Sequence, residues 1–262
     1  MNLSRVIGVD IGGTNIDIVL LDSEFKHLAN FSTHEHFKNF NEILENFVSR
    51  FKAKAVGVGA AIWLKEGKIV KAPNLPSKLE LELSVPTILE NDANCFAFFA
   101  YKTLGFQNLL GITIGTGVGS GIIVDGKIYR GSGLAGEIGH WTVNGKEKCS
   151  CGGLGHLESY FSGWALERRY GKSVKELMKI DKDFIYSLNE FDLLCKAVAN
   201  SAMLLDPLAI VFGGRIGMNL SLEKLKARIY RYLMHGFSPE IKILKDELAV
   251  AKGACFLALD LL

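Results

Sequence analysis

The sequence lacks the features that mark several classes of protein. No uninterrupted apolar run approaches the roughly 20 residues that a membrane-spanning helix needs, so no membrane partner is expected. Asp10 and Asn15 interrupt the first apolar segment early, and no basic stretch precedes that segment, so a secretory signal is not predicted. Five cysteines, an odd number in a chain of 262 residues, do not form a disulfide framework. Together these absences favour a cytoplasmic location.

The chain also lacks a strong charge of either sign. Its 30 basic and 28 acidic residues give a formal net charge of +2, without a basic patch or an acidic tail. We therefore expect no nucleic-acid partner, and any ligand must be recognised by a specific site rather than by the overall electrostatic field. The hydrophobic fraction of 48% is ample for a packed core, and the length fits one large domain or two compact lobes.

One local pattern occurs twice. A β-prone segment at Val6 to Asp10 breaks at a glycine pair and resumes at Ile16 to Leu21, which predicts two strands joined by a tight turn. A second β-rich run, Gly111 to Gly117, is followed by Gly121 to Val124, and the turn signal Asp125-Gly126 predicts a hairpin after it. Such self-similarity predicts two related lobes.

Periodicity and turn residues predict most of the remaining elements. The predicted helices are Phe40 to Phe51, one from Asp92 that stops before Gly105, Leu157 to Tyr170, Phe184 to Leu205, and an apolar tail from Gly253; the predicted strands are Ala55 to Ala60, Pro86 to Glu90 and Ala209 to Phe212. Cys95, Cys195 and Cys255 fall in apolar segments and are expected to be reduced core residues.

The glycine turns are candidate phosphate cradles. Glycines leave backbone N–H groups open to an anion, and a threonine adds a hydroxyl donor. In the first turn Asp10 could hold a hydrated Mg²⁺ against phosphates. The turn residues are Gly12, Gly13 and Thr14 in the first, and Gly115, Thr116 and Gly117 in the second. Each turn alone is equally well explained as an ordinary hairpin; their matching positions in two lobes favour the phosphate interpretation.

An acidic cluster stands at the start of the helix predicted from Asp92. Either Asp92 or Asn91 could be a simple N-cap. Alternatively, Asp92 is a general base for a substrate hydroxyl, with Asn91 bonded to a neighbouring hydroxyl. The two functions are compatible.

A glycine-rich loop carries four soft or borderline metal ligands, His140, Cys149, Cys151 and His156. This set predicts a closed tetrahedral zinc site that staples the loop, the alternative being a loop with two reduced thiols. Glu137 and Glu158 flank the loop; they are interpreted as acceptors for sugar hydroxyls, or otherwise as solvated acids. The pair His34 and His36 lies in a polar stretch and is interpreted as surface.

At this point the motifs resemble the ROK family of sugar kinases and repressors, within the actin/hexokinase superfamily. The segments that carry the resemblance are Asp10 to Thr14, Glu90 to Asn94, Gly136 to His140, Cys149 to Gly155, Asp206-Pro207, Gly213-Gly214 and Gly253-Ala254, which together span essentially the whole chain. The resemblance implies an α/β, actin-like (ribonuclease H-like) fold with two lobes and a ligand cleft between them. The expected lobes are residues 1–108, joined by the C-terminal helix 249–262, and residues 109–248, which include the zinc loop.

The resemblance also implies an activity and the residues for it. The expected function is transfer of the γ-phosphoryl group of MgATP to a hexose hydroxyl, glucokinase-like, in a homodimer, with structural Zn²⁺. Asp92 would be the catalytic base, and the sugar contacts would be Asn91, Glu137, His140, Glu158 and Asn74. Asp10, Gly12, Gly13, Thr14, Gly115, Thr116 and Gly117 would face the phosphates, Gly213 and Gly214 the nucleotide, and His140, Cys149, Cys151 and His156 would hold zinc.

The sequence departs from the family pattern at two places. The family usually has a third cysteine where His156 stands, although imidazole is also a zinc ligand. Many members have a Pro-Gly-like pair near the positions of Ala61 and Ile62. In this sequence Ile62 and Trp63 are bulkier than that pair. The second departure leaves the identity of the sugar open.

Two other functions stay open. A sugar-sensing regulator of this family would carry an N-terminal DNA-binding module, and the first phosphate turn begins at residue 10, so we expect no such module. A non-kinase ATPase that acts on a protein partner would not show sugar-dependent ADP release.

Overall fold

A computed structural model describes residues 4–73 and 75–262. Contacts between Cα atoms divide the chain into two compact units. The first comprises the chain up to Gly105, Arg130–Ala135 and Glu247–Leu262; the second comprises Phe106–Tyr129 and Gly136–Asp246. Among the described residues, no helix combines the length and apolar character needed to cross a membrane.

The first unit is built on a five-stranded sheet in the order β3-β2-β1-β4-β7. Strands β3, β2 and β1 are antiparallel, whereas β1, β4 and β7 are parallel. A separate hairpin pairs β5 with β6. The strands are β1 Val6–Ile11, β2 Asn15–Asp22, β3 Glu24–Ser32, β4 Ala55–Ala60, β5 Trp63–Lys65, β6 Lys68–Lys71 and β7 Thr87–Asn91.

Helices cover this sheet. They are α1 Thr33–His36, α2 Phe40–Phe51, α3 Asp92–Leu104 and α10 Ala249–Leu259, with a short 3₁₀ helix at Phe37–Asn39. Helix α2 buries Phe40, Leu44 and Val48 at three- and four-residue steps, as its amphipathic pattern predicts. Helix α10 contributes small residues, Ala251 and Cys255 among them, to a core that it shares with β1, β2 and β4.

The second unit repeats the same strand arrangement. Its sheet has the order β10-β9-β8-β11-β12, with β8 antiparallel to β9 and parallel to β11. The strands are β8 Leu109–Ile114, β9 Val118–Val124, β10 Lys127–Ile128, β11 Ala209–Gly213 and β12 Glu240–Ile243. The predicted duplication of a strand–glycine turn–strand unit is confirmed, since β1 with β2 and β8 with β9 are the two copies.

The described helices of the second unit have nine residues or fewer, apart from one of 17 residues. They are α4 Gly163–Tyr170, α5 Val174–Ile180, α6 Phe184–Ser187, α7 Asn189–Leu205, α8 Gly214–Gly217 and α9 Leu222–Tyr230, with 3₁₀ helices at Ile138–His140 and Leu157–Ser159. The single helix predicted over Leu157 to Tyr170 is wrong: Ser162 caps α4 by accepting a hydrogen bond from the Ala165 amide, so α4 starts at Gly163. Leu188 is in extended conformation and divides the helix predicted over Phe184 to Leu205 into α6 and α7.

Two other expectations can be compared with burial. Cys95, Cys195 and Cys255 are buried free thiols, as predicted. His36 is only partly a surface residue, because its ring packs against Phe31 at 5.1 Å and its Nδ1 lies 3.2 Å from the Ser32 carbonyl oxygen. His34 is exposed.

Candidate active site and metal centre

The junction between β7 and α3 carries the proposed base. Asn91 is the N-cap of α3, because its Oδ1 accepts a hydrogen bond of 3.1 Å from the Asn94 amide. Asn91 Nδ2 donates to the Ile62 carbonyl at 3.0 Å, which ties the junction to the residue immediately before β5. Asp92 is the first helical residue, and its Oδ1 accepts from the Ala93 amide at 2.9 Å. The capping function therefore belongs to Asn91, and the N-terminal end of α3 favours negative charge at Asp92.

Glu90 precedes these two residues and has a network of its own. Its side chain is only 4% exposed. Oε1 accepts from the Asn91 amide and from Asn94 Nδ2, both at 2.9 Å. Oε2 accepts from Arg130 Nε at 2.7 Å and forms an ion pair of 2.6 Å with Nη2. Sequence analysis assigned no function to Glu90 or Arg130. The one signal that could have drawn attention to Glu90 is a charged residue at the end of a buried strand.

The negative charges of three carboxylates of the first unit act on one buried thiol. Burial raises the pKa of Cys95 well above its ordinary value. The negative charges of Glu90, Asp92 and Asp10 raise it further. The candidate base and the acid of the first glycine turn therefore belong to one neighbourhood of the first unit.

The first glycine turn connects β1 to β2. The Gly12 amide donates to the Asn15 carbonyl at 2.9 Å and closes the turn. Thr33 supports it, since its hydroxyl donates to the Gly12 carbonyl at 2.8 Å and its amide donates to the Thr14 carbonyl at 2.9 Å. Thr14 is exposed. The turn is fixed through the Gly12 amide and through the carbonyl groups of Gly12 and Thr14, and its exposed Thr14 carries a hydroxyl donor.

The second glycine turn connects β8 to β9. The Gly115 amide donates to the Gly117 carbonyl at 3.0 Å, and the Gly163 amide at the start of α4 donates to the Gly115 carbonyl at 2.8 Å. A Cβ atom on Gly115 would meet no other atom within 4 Å, so the space beside it is open. A Cβ atom on Gly117 would lie 2.4 Å from Glu158 Oε2. A larger residue at position 117 would therefore displace the Glu158 carboxylate.

Glu158 connects this turn to the cysteine loop. Its Oε2 accepts from the Val118 amide at 3.0 Å, and its Oε1 accepts from the Ser150 hydroxyl at 3.3 Å. Ser150 stands between the two loop cysteines, a position that the sequence did not single out. A carboxylate oxygen has more than one lone pair, so Glu158 can still accept bonds from a ligand.

The four predicted metal ligands lie together. Their ligand atoms are all within 4.8 Å of one another. His140 Nδ1 lies 3.6 Å from Cys149 Sγ, and His156 Nδ1 lies 3.2 Å from Cys151 Sγ. Tetrahedral zinc with ordinary bond lengths separates nitrogen from sulfur by about 3.6 Å, so the donor set fits this ion. Burial raises the pKa of Cys149, so a bound cation would be needed to hold it as thiolate at neutral pH.

The backbone of the loop is also closed. The Cys149 amide donates to the Gly153 carbonyl and the Gly152 amide donates to the Cys149 carbonyl, both at 2.9 Å. His140 faces two directions, because its Nε2 lies 3.8 Å from Glu137 Oε2 while its Nδ1 lies beside Cys149. His140 is therefore placed to join the metal set to Glu137.

The later glycine pair has a structural explanation. Gly213 ends β11, and Gly214 begins α8 with φ of +76°. A Cβ atom on Gly214 would lie 2.7 Å from the Ile114 carbonyl oxygen. Glycine is thus required at position 214 by packing, whatever it does for a nucleotide.

The structure groups the predicted residues by unit. Asp10 to Thr14, Asn91 and Asp92 belong to the first unit; the second glycine turn, Glu137, Glu158, the four metal ligands and Gly213-Gly214 belong to the second. Asn74 lies outside the described residues. Ile62 is fully buried in the core of the first unit, and its carbonyl accepts the bond from Asn91.

Paired sheets of the same strand order, each with a glycine turn between its first two strands, define a two-lobed α/β protein of the actin-like class. A sequence model of the ROK family matches residues 6–260, and the chain belongs to that family. The resemblance found in the motifs is therefore confirmed.

Relatives within the family differ in function. A xylose repressor of Caldicellulosiruptor bescii is 26% identical over 319 residues, which cover 100% of this chain and 80% of the repressor. A glucokinase of Streptomyces coelicolor is 37% identical over 189 residues, which cover 63% of this chain and 59% of that protein. A crystal structure of a ROK family glucokinase from Streptomyces griseus, in complex with glucose and AMPPNP, is 28% identical. Its alignment covers 98% of this chain and 100% of that one, with a TM-score of 0.78.

Proposed function

We propose that this protein is an ATP-dependent sugar kinase that transfers the γ-phosphoryl group of ATP to a hexose hydroxyl. The observation that carries the proposal is the division of labour at the β7–α3 junction, where Asn91 caps the helix and Asp92 follows as a separate carboxylate. The similarity to a glucokinase solved with glucose and AMPPNP supports the same activity. Glucose is therefore the first substrate to test.

In the proposed reaction Asp92 accepts the proton of the attacking sugar hydroxyl. The sugar oxygen forms a bond to the γ-phosphorus, the bond from that phosphorus to the β–γ bridging oxygen breaks, and ADP leaves with that electron pair. Most of the catalysis in such a transfer comes from positioning and from charge stabilisation. Asn91 is held on both sides by hydrogen bonds, which suits a residue that orients the acceptor sugar.

Glu137, His140 and Glu158 are the further proposed sugar contacts, together with Asn74. Glu158 is already fixed by the Val118 amide and the Ser150 hydroxyl, so its carboxylate has a defined orientation before a sugar arrives. Pre-orientation of this kind lowers the entropy lost on binding. His140 can serve a sugar through Nε2 while its Nδ1 belongs to the metal set.

The two glycine turns are proposed to receive the phosphates. Open space beside Gly115 and the exposed Thr14 hydroxyl are compatible with an anion at each turn. Asp10 would hold Mg²⁺, which supplies neutralisation of the phosphate charge when bound. Gly213 and Gly214 are assigned to the nucleotide by resemblance. In this proposal residues 1–108 with helix 249–262, and residues 109–248, form the two domains.

His140, Cys149, Cys151 and His156 are proposed to hold a structural zinc ion. With all four positions taken by protein, the site leaves no place for a substrate, so the ion would act as a staple of the loop. Its effect on the sugar site would pass through His140 and Ser150, which contact Glu137 and Glu158.

A sugar-sensing regulator is the second candidate, because the alignment with a xylose repressor spans the whole chain. The deciding experiment is an ADP-release assay with MgATP and a panel of glucose, fructose, mannose, xylose and N-acetylated amino sugars. A kinase releases ADP only when its sugar is present. Sugar binding by calorimetry without ADP release would favour the regulator and overturn the proposed activity.

A further inference from the structure

The ion pair between Arg130 and Glu90 involves the residue two positions before the proposed base. Both Nε and Nη2 of Arg130 contact the same oxygen, Glu90 Oε2, at 2.7 and 2.6 Å. The other oxygen accepts the Asn91 amide and the Asn94 side chain. Glu90 therefore connects the guanidinium group to the turn that bears Asn91 and Asp92.

Burial makes this connection rigid. The Glu90 side chain is 4% exposed, whereas that of Arg130 is 46% exposed. A buried carboxylate that loses its cationic partner is strongly destabilised and must rotate, take up a proton or draw in water. Any of these changes would disturb the bond from the Asn91 amide to Oε1, which lies one peptide from Asp92.

Arg130 also occupies a distinctive place in the chain. The flanking segments, Phe106–Tyr129 and Gly136–Asp246, belong to the second unit, but Arg130–Ala135 belongs to the first. The Arg130 carbonyl accepts from the Gly133 amide at 2.7 Å and from the Ala135 amide at 3.2 Å, which closes this short segment into a turn. The ion pair thus fastens the segment Arg130–Ala135 to the β7–α3 junction.

We propose that Arg130 is a positioning residue for phosphoryl transfer, which orients Asp92 through Glu90 and the backbone of Asn91. The proposal rests on the function proposed above. Arg130 does not touch the reacting atoms; its guanidinium group fixes the carboxylate against which the catalytic turn is built. Its loss is therefore expected to lower the turnover rate far more than it weakens sugar binding.

The test compares Arg130→Ala with a matched control, Arg5→Ala. Arg5 also pairs through Nε with a carboxylate, Asp22, at 3.0 Å, and its side chain is likewise 46% exposed, but Asp22 is 29% exposed and remote in sequence from the catalytic turn. Steady-state ADP release with glucose gives kcat, and calorimetry gives the Kd for glucose. We expect Arg130→Ala to lower kcat about 100-fold, as a misplaced catalytic group does. The Kd should change by less than about threefold, and Arg5→Ala should keep the kcat of the unsubstituted protein.

Added guanidinium chloride at low millimolar concentration should restore part of the kcat of Arg130→Ala, since it can occupy the vacated place beside Glu90. If Arg130 contributed only to stability, Arg130→Ala would lower the melting temperature and added guanidinium would not restore kcat. If Arg130→Ala does not fold, the pair Glu90→Gln with Arg130→Met removes both charges together, which folded proteins usually tolerate. It should show the same loss of kcat.

Unchanged kcat in folded Arg130→Ala or in the double variant would overturn the proposal. In Arg130→Ala, which keeps the Glu90 carboxylate, a loss of kcat that guanidinium does not restore would also overturn it. Turnover by the unsubstituted protein in the same assay reports separately on the proposed function. A failed activity and a failed positioning function are thereby distinguished.

Discussion

The β7–α3 junction and the cysteine loop position functional side chains by different physical means. At the junction, regular secondary structure supplies the geometry: a strand ends, a helix begins, and Asn91 and Glu90 fasten the two. In the loop, most residues are irregular, and the side chains of His140, Cys149, Cys151 and His156 converge from separate positions. The first region is organised by hydrogen bonds within a packed lobe. In the second, a metal ion held by these four side chains is proposed to act as a cross-link.

The largest effect is expected at the junction. Asp92→Asn keeps the shape of the side chain but removes its basicity, so kcat should fall by roughly 100- to 10,000-fold, the range of a general base. The Kd for glucose, measured by calorimetry, should stay close to that of the unsubstituted protein. Full turnover by Asp92→Asn would show that the junction is only a helix start.

The next effect concerns the loop. Cys151→Ser should reduce bound zinc, measured by elemental analysis, from about one ion per chain to near zero. The melting temperature should fall by roughly 5–10 °C, because the loop loses its cross-link. His156→Cys is the matched control, since it restores the ligand more usual in the family and should retain zinc. If the purified unsubstituted protein contains no zinc, the proposed zinc cross-link of the loop is contradicted. The contrast between the two regions then no longer holds.

Some features of these two regions could be predicted from the sequence. The strand Ala55–Ala60 and the helix Asp92–Leu104 were predictable because glycines, caps and apolar periodicity mark them locally. The grouping of the four candidate metal ligands was predictable from residue type and spacing. The family and the fold class, predicted from the ordered motifs, are confirmed.

Other features depend on contacts that no local pattern contains. Strand β3 is mixed and half exposed, so it has no clear alternation, and the β5–β6 hairpin is short and turns at Glu66-Gly67. Arg130 and Glu90 form an ion pair although they are 40 residues apart in the sequence, and no local pattern near either residue identifies its partner. The Ser150–Glu158 bond likewise becomes visible only once the loop is folded.

Asp192 extends the comparison, because this carboxylate, remote in sequence from the catalytic turn, is held by ion pairs with Lys196 and Arg228 and by the Tyr232 hydroxyl. Burial raises the pKa of Asp192, but bonds from Lys196, Tyr232 and Arg228 outweigh it and lower the pKa to about 2. The pKa in the folded state is then below that in the unfolded chain. The stabilisation is present above about pH 4 and is lost as the pH falls through about 2.

Asp192→Asn should therefore destabilise the protein by roughly 2 kcal/mol at neutral pH, as measured by urea unfolding. The difference between variant and unsubstituted protein should shrink as the pH is lowered from 4 towards 2. A difference that is independent of pH would show that ionisation of Asp192 contributes little.

The smallest effect tests the helix cap. Asn91→Ala should lower the free energy of unfolding by about 1 kcal/mol, because the Asn94 amide loses its acceptor. Asn91→Asp keeps an acceptor at the cap and should lose much less stability in the same urea titration. Equal stability of Asn91→Ala and the unsubstituted protein would mean that the cap does not organise the junction.

The proportion of hexose phosphate to ADP formed tests the central claim most directly. Protein incubated with MgATP and each sugar of the panel can be analysed for both products by ³¹P NMR in one sample. The proposed kinase activity predicts equal amounts of sugar phosphate and ADP with at least one hexose, and neither product without sugar. ADP without sugar phosphate, or sugar binding with neither product, would contradict it.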